Sequence, residues 1–163
     1  MPNAIYLDCH AGIAGDMLLS ALVDLGADIN YIEKHLNDLP LNKFKLNFSS
    51  QNKQGIQATS LSIDFEPAHH HRKAQDIFIM IRESTLPDRV KERSIKVFDV
   101  IAHAEAKIHG MSVEDVHFHE VGAMDSIIDI IGSCLALEAL DIDTLLSSPI
   151  PTGHGKINIA HGI

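Results

Sequence analysis

The chain has 163 residues, 45% of them apolar, and a formal net charge of −9 with its 11 histidines neutral. That length supports a single domain with a full core, while the acidic balance and the lack of Trp argue against a nucleic-acid partner. Cys9 and Cys134 stand far apart and form no CxxC pair, so a disulfide framework or zinc ribbon is excluded and a reducing cytoplasm fits. No basic segment leads into an apolar run at the N-terminus, and no apolar stretch reaches the ~18 residues of a membrane span.

Residues Ala4 to Leu7 read as a short buried strand. A loop of small residues, Asp8 to Gly15, leads into a helix from Asp16 to Leu25, which Gly26 stops. Asp28 or Asn30 caps a second short helix through Leu36. Lys43 to Ser49 alternates as a half-buried strand, and Asn52-Lys53-Gln54-Gly55 supplies turn chemistry. The return strand is apolar at Ile56 and Ala58, then at Leu61, Ile63 and Phe65. That change of phase predicts either a bulge near Thr59-Ser60 or a strand whose halves use different faces.

Pro67 to Arg72 is a histidine loop, and Ala74 to Ser84 a helix. Thr85 and Pro87 open a long helix that ends at Gly110, with Pro87 near its first turn. Ser112 to Asp115 starts a single turn, and Val116 to Glu120 is extended or loop-like. Ala123 to Leu140 is apolar nearly all round, as in a helix buried on most sides. The tail beyond Thr144 holds one more strand. This order (strand, helix, hairpin, helices, strand) predicts an α+β fold with an antiparallel element, and a ferredoxin-like core with inserted helices is one such arrangement.

Three constellations carry chemistry. In Asp8-Cys9-His10-Ala11-Gly12-Ile13-Ala14-Gly15-Asp16, small residues let the backbone turn tightly, and Asp8, Cys9 and His10 offer donors that suit nickel or zinc. It is neither of the common nucleotide-binding glycine motifs, and a tight loop with a helix-capping Asp explains it equally well. His69-His70-His71-Arg72 combines imidazoles with a guanidinium able to hold a phosphate; an exposed polar loop is the plainer account. His117-Phe118-His119-Glu120 places two imidazoles on one side of an extended segment. Asp125 and Asp129 follow four apart on one helical stripe amid isoleucines, where a carboxylate needs a partner. Together these predict a divalent-metal site of His117, His119 and Asp125 with Asp8, Cys9 and His10. Glu120 would ligate, orient an imidazole or act as base.

On these residues the chain resembles a known family. The run Asp8 to Met17, the block His69 to Arg72, and the long block His117 to Gly132 are similar to the LarC family, nickel-insertion proteins of nickel-pincer cofactor biosynthesis. Pro151-Thr152-Gly153-His154-Gly155 and Ala160-His161-Gly162 match where that family continues. The resemblance implies a CTP-dependent cyclometallase, in the lyase class, that puts Ni(II) into pyridinium-3,5-bisthiocarboxylic acid mononucleotide. It implies Mn(II) or Mg(II) with CTP, and a cytoplasmic location. It implies substrate contacts from Asp16, His69, His70, His71, Arg72 and Asp129. Residues 1–163 would then be a single N-terminal domain, with the CTP-associated C-terminal half of the same protein as its partner. A homo-oligomer is one option for assembly. The residues alone also fit a metal-dependent phosphoesterase or a non-catalytic nickel store.

Overall fold

A computed structural model describes residues 3–66, 72–118 and 121–153. The fold is α+β, as expected. In chain order it comprises β1 (Asn3–Leu7), α1 (Gly15–Asp24), α2 (Ile29–Asn37), β2 (Phe44–Lys53) and β3 (Ile56–Phe65). Then come β4 (Arg72–Lys73), α3 (Ala74–Glu83), α4 (Asp88–His109), β5 (His117–Phe118), α5 (Met124–Ala139) and β6 (Ile142–Ser147).

The core is built around α5. Ile127, Ile128, Ile131 and Leu135 are fully enclosed, with Leu19 and Leu22 of α1, Ile32 and Leu36 of α2 and Phe98 of α4. Each such side chain contributes about 1.5–3 kcal/mol relative to exposure. The all-round apolar pattern of α5 follows from this: α1, α2 and α4 all pack on it. Gly132 lets α1 come close, since a Cβ there would lie 2.9 Å from Leu19 Cδ2.

Helix limits follow local chemistry. The Asp28 carboxylate accepts the Asn30 N–H at 2.9 Å and caps α2. Gly110 ends α4 in the left-handed conformation. Pro87 is the N-cap residue of α4, one place earlier than the first-turn position its ring would suit.

The strands form three separate pairs among the described residues. The ferredoxin-like arrangement, one continuous antiparallel sheet, is therefore not what they make. β2 and β3 are antiparallel, joined by Gln54-Gly55, both at positive φ. Their register runs unbroken through Ser49–Ser60 and Ser50–Thr59, so there is no bulge. The apolar phase changes because the half near the turn extends past the core, leaving Ile56 72% exposed. β4 and β5 pair Arg72 with Phe118 and Lys73 with His117. β1 pairs with β6 in parallel, although their chain separation spans almost the whole domain. This strand is not the buried one expected: Tyr6 is 63% exposed, because no layer covers its outer face among the described residues.

Arg89 of α4 ties β6 in place. Its Nε lies 2.8 Å from Glu138 Oε2, and its Nη1 3.1 Å from Asp143 Oδ1. Its Nη2 donates to the Ile142 carbonyl at 3.0 Å.

Replacing Gly132 with Val should overpack the α1–α5 contact. Urea denaturation should show a loss of about 1–3 kcal/mol, with the helical circular-dichroism spectrum kept.

Candidate functional site

The loop after β1 is held from both ends. Ser148, just past β6, accepts the Cys9 N–H on its Oγ at 2.8 Å, and the Ser148 N–H donates to the Leu7 carbonyl at 2.9 Å. Cys9 is consequently buried, with Sγ 3.8 Å from the Leu7 carbonyl. Asp8 and His10 point outward and pair with each other, His10 Nδ1 to Asp8 Oδ1 at 3.3 Å. Cys9 faces the interior while its two neighbours face solvent, which separates the thiol from the other two donors.

α1 begins where this loop ends, and its N-terminus meets α5. A Cβ on Gly15 would lie 2.6 Å from Asp129 Cβ and 2.7 Å from Asp129 Oδ2. Only glycine admits the carboxylate so close to the helix start. The Asp16 backbone N–H, one of the helix-end donors that lack an intrahelical partner, lies close enough to the Asp129 carboxylate to favour its ionised form. The Asp129 Oδ1 is enclosed and has no hydrogen-bond partner among the described residues.

Asp16 and Asp125 lie near enough for their negative charges to act on Asp129. Burial, then Asp16, then Asp125, push the Asp129 carboxyl from 3.8 up to about 6, against the opposing effect of the Asp16 N–H. Asp125 itself is exposed, and its Oδ1 accepts the Ser126 N–H at 2.8 Å in the first turn of α5. The two aspartates of the α5 stripe thus differ: Asp125 is solvated and Asp129 half-buried.

β5 supplies the third part. Phe118 is buried against Phe98, ring centroids 6.1 Å apart, and His117 is exposed beside it. The extended geometry expected of His117 is therefore present. Arg72 of β4 donates from Nη1 to the Gly122 carbonyl at 3.0 Å, and so clips the turn between β5 and α5. A Cβ on Gly122 would lie 2.8 Å from the Phe118 carbonyl oxygen, so that turn also needs its glycine.

Asp16 and Asp125 thus lie within electrostatic reach of Asp129, and Arg72 holds the turn that leads to α5. His69, His70, His71, His119 and Glu120 lie outside the described residues. Among the described residues no group of three or more imidazole, thiol and carboxylate side chains stands ready to hold a metal. The sequence reading did not single out Gly15 as the contact for Asp129, nor Ser148, which anchors the loop. Both act through partners distant in the chain, and local pattern carries no signal of them.

The Asp129 shift has a pH consequence. Below about pH 4 folded and unfolded chains both keep this proton, and the group costs nothing. As pH rises towards 6 the unfolded chain ionises first, so stability falls, and the loss is complete above about 7. Asp129→Asn, which retains an acceptor for the Asp16 N–H, should therefore raise stability relative to the parent more at pH 8 than at pH 4.5. The differential, read by urea titration, should be on the order of 1 kcal/mol once solvent screening is allowed for.

With this geometry in hand, comparison with known proteins is informative. A family model described as Nickel insertion protein matches residues 5–163. A relative from Staphylococcus saprophyticus subsp. saprophyticus, called pyridinium-3,5-bisthiocarboxylic acid mononucleotide nickel insertion protein, is 76% identical over all of this chain and 42% of its own length. A relative of the same name from Staphylococcus epidermidis is 69% identical over all of this chain and 41% of its own. One from Geobacillus kaustophilus, also so named, is 48% identical over 98% of this chain and 41% of its own. The chain therefore spans about two fifths of the length of these relatives. No solved structure matches. No helix among the described residues is long and apolar enough to cross a membrane. From the match over nearly its whole length, the chain belongs to the nickel insertion protein family.

Proposed function

We propose that this chain forms the nickel-receiving N-terminal part of an enzyme that inserts nickel into pyridinium-3,5-bisthiocarboxylic acid mononucleotide. The observation that carries this reading is Asp129: a carboxylate enclosed beside Gly15, with an unpartnered Oδ1 and two neighbouring aspartates. Such an arrangement repels itself until a cation enters. Nickel is here a substrate, passed on and not retained.

In this reading Asp125 and Asp129 hold the incoming ion, with His117 and His119 on the adjoining segment as nitrogen donors. Nickel displaces the Asp129 proton, so uptake is weaker below about pH 6, where that proton is held. Asp8 and His10, paired at the mouth of the neighbouring loop, offer a first exposed contact. The buried Cys9 thiol has the softness for nickel and reaches it only if the loop opens. Insertion itself forms one nickel–carbon and two nickel–sulfur bonds. The ring carbon gives its electron pair to nickel as its proton leaves to a base, the role assigned to Glu120 or His117. Arg72, already clipped to Gly122, is aligned to hold a substrate phosphate with its remaining donors. CTP cleavage with Mn(II) or Mg(II) belongs to the C-terminal region of the longer protein, and this chain alone should release no CMP or pyrophosphate. The cytoplasm, and the lyase class, complete the proposal.

Calorimetric nickel titration tests it. Asp125→Asn with Asp129→Asn, and separately His117→Ala with His119→Ala, should each weaken nickel binding by at least ~10-fold, about 1.4 kcal/mol. Replacing His69, His70 and His71 together by Ala should weaken it less, and circular dichroism must show every variant folded. Retention of nickel by both doubles, with loss in the triple, would move the site to the histidine loop. Several ions per chain, indifferent to the precursor, would mean storage.

A further inference from the structure

We propose that the open edge of β6 is the docking site for a β-strand supplied by the part of the longer protein that this chain does not span. This rests on the reading of the chain as one part of a larger enzyme, and it names the surface by which the parts join.

β1 and β6 make a two-stranded parallel sheet with no third strand beside it among the described residues. Parallel strands occur almost only in sheets covered on both faces, and a lone pair of strands is marginal in water. The backbone shows which groups are open. The Ser148 N–H donates to the Leu7 carbonyl at 2.9 Å. Successive backbone groups along a strand point to opposite sides, so the Leu146 N–H also faces β1. Leu145 and Ser147 then turn their N–H and C=O groups to the other edge. β6 has no lysine or proline to protect that edge from pairing.

A hollow of about 280 Å³ lies at the same edge, between β6, α4 and α5, lined by Val97, Cys134, Leu137 and Leu145. No residue of β1 lines it, which sets it on the side of β6 that β1 leaves free. The basic side chains at its rim are engaged, Arg93 by the Ile142 carbonyl and Lys96 by Glu92, so what stays open is apolar. The inward side chains of a strand added beside β6 would fill the hollow and cover Val97, now 41% exposed. On the outer face Tyr6 stands next to Leu146, and they are 63% and 55% exposed, so a covering layer is missing there too. What this sheet lacks is secondary structure, not a small ligand. A second β6 from another copy would bring an equal hollow of its own. The relatives point to the supplier, since well over half the length of each lies outside the matched part.

Residue-resolved amide exchange tests this by comparing the 163-residue chain with the intact Staphylococcus saprophyticus relative. In the chain, the Leu145 and Ser147 amides should exchange near the unprotected rate, and Leu146, bonded to β1, more slowly. In the relative, the amides matching Leu145 and Ser147 should exchange at least ~100-fold more slowly than in the chain. Val97→Glu should leave the melting temperature of the chain within ~2 °C, because its side chain can turn to solvent. In a hybrid where this chain replaces the matched part of the relative, the same change should lower it by at least ~3 °C. If the hybrid does not melt cooperatively, the exchange comparison decides. The proposal is overturned if the Leu145 and Ser147 amides are already slow in the chain, if their counterparts stay fast in the relative, or if Val97→Glu acts alike in chain and hybrid. Slow amides in the chain that speed up on dilution would give the edge to a second copy instead. Neither readout involves nickel, so failure here leaves the nickel reading to its own titration, and failure there leaves the docking edge standing.

Discussion

Everything at the site depends on how near α1 can come to α5. Two glycines set that distance. Gly132 makes room for Leu19 in the middle of the contact, and Gly15 makes room for Asp129 at its open end. With side chains at both, Leu19 and Asp129 would have to shift, and the carboxylate would lose its place on the helix start. The isoleucines of α5 and the leucines of α1 and α2 supply the adhesion, but dispersion and hydrophobic burial are not directional. The glycines turn adhesion into position, and their effect is felt at Asp129.

That position works against stability. An aspartate pushed up to about 6 is a group the fold tolerates at a cost above neutral pH. Asp125 is different, since the first turn of α5 is where a helix favours negative charge, and its own Ser126 N–H binds it. Of the two aspartates four residues apart, one is thus helped by its helix and the other is not. Carboxylates pushed up by burial and like charge concentrate at functional sites.

Most of the helices were legible. Periodicity located α1 to α5 within a residue or two, and Asp28 and Gly110 marked boundaries through their own backbone chemistry. The carboxylate stripe on α5 was also visible, because charge among isoleucines calls for an explanation. The strand pairing was not. Nothing local in Asn3 to Leu7 says that its partner is Ile142 to Ser147, or that the pairing is parallel. The phase change in β3 suggested a bulge because periodicity assumes a core along the entire strand, and here the hairpin outruns the core. The cleft between α1 and the hairpin was likewise hidden, since Lys53 reads locally as a turn residue and joins its lining only when the hairpin lies against the helix.

The parallel pairing of the first strand with the last also governs when the site can exist. Ser148 fixes Cys9 across 139 residues of chain, so the loop from Asp8 to Asp16 has no anchor until nearly the entire domain has left the ribosome. α1 and α2 likewise have α5, far along the chain, as their main helical partner, so these contacts too must close loops nearly as long as the domain. Vectorial synthesis therefore completes this loop and the α1–α5 contact together, late in translation. In a nascent chain Asp129 has no helix start to rest on until both helices have been made.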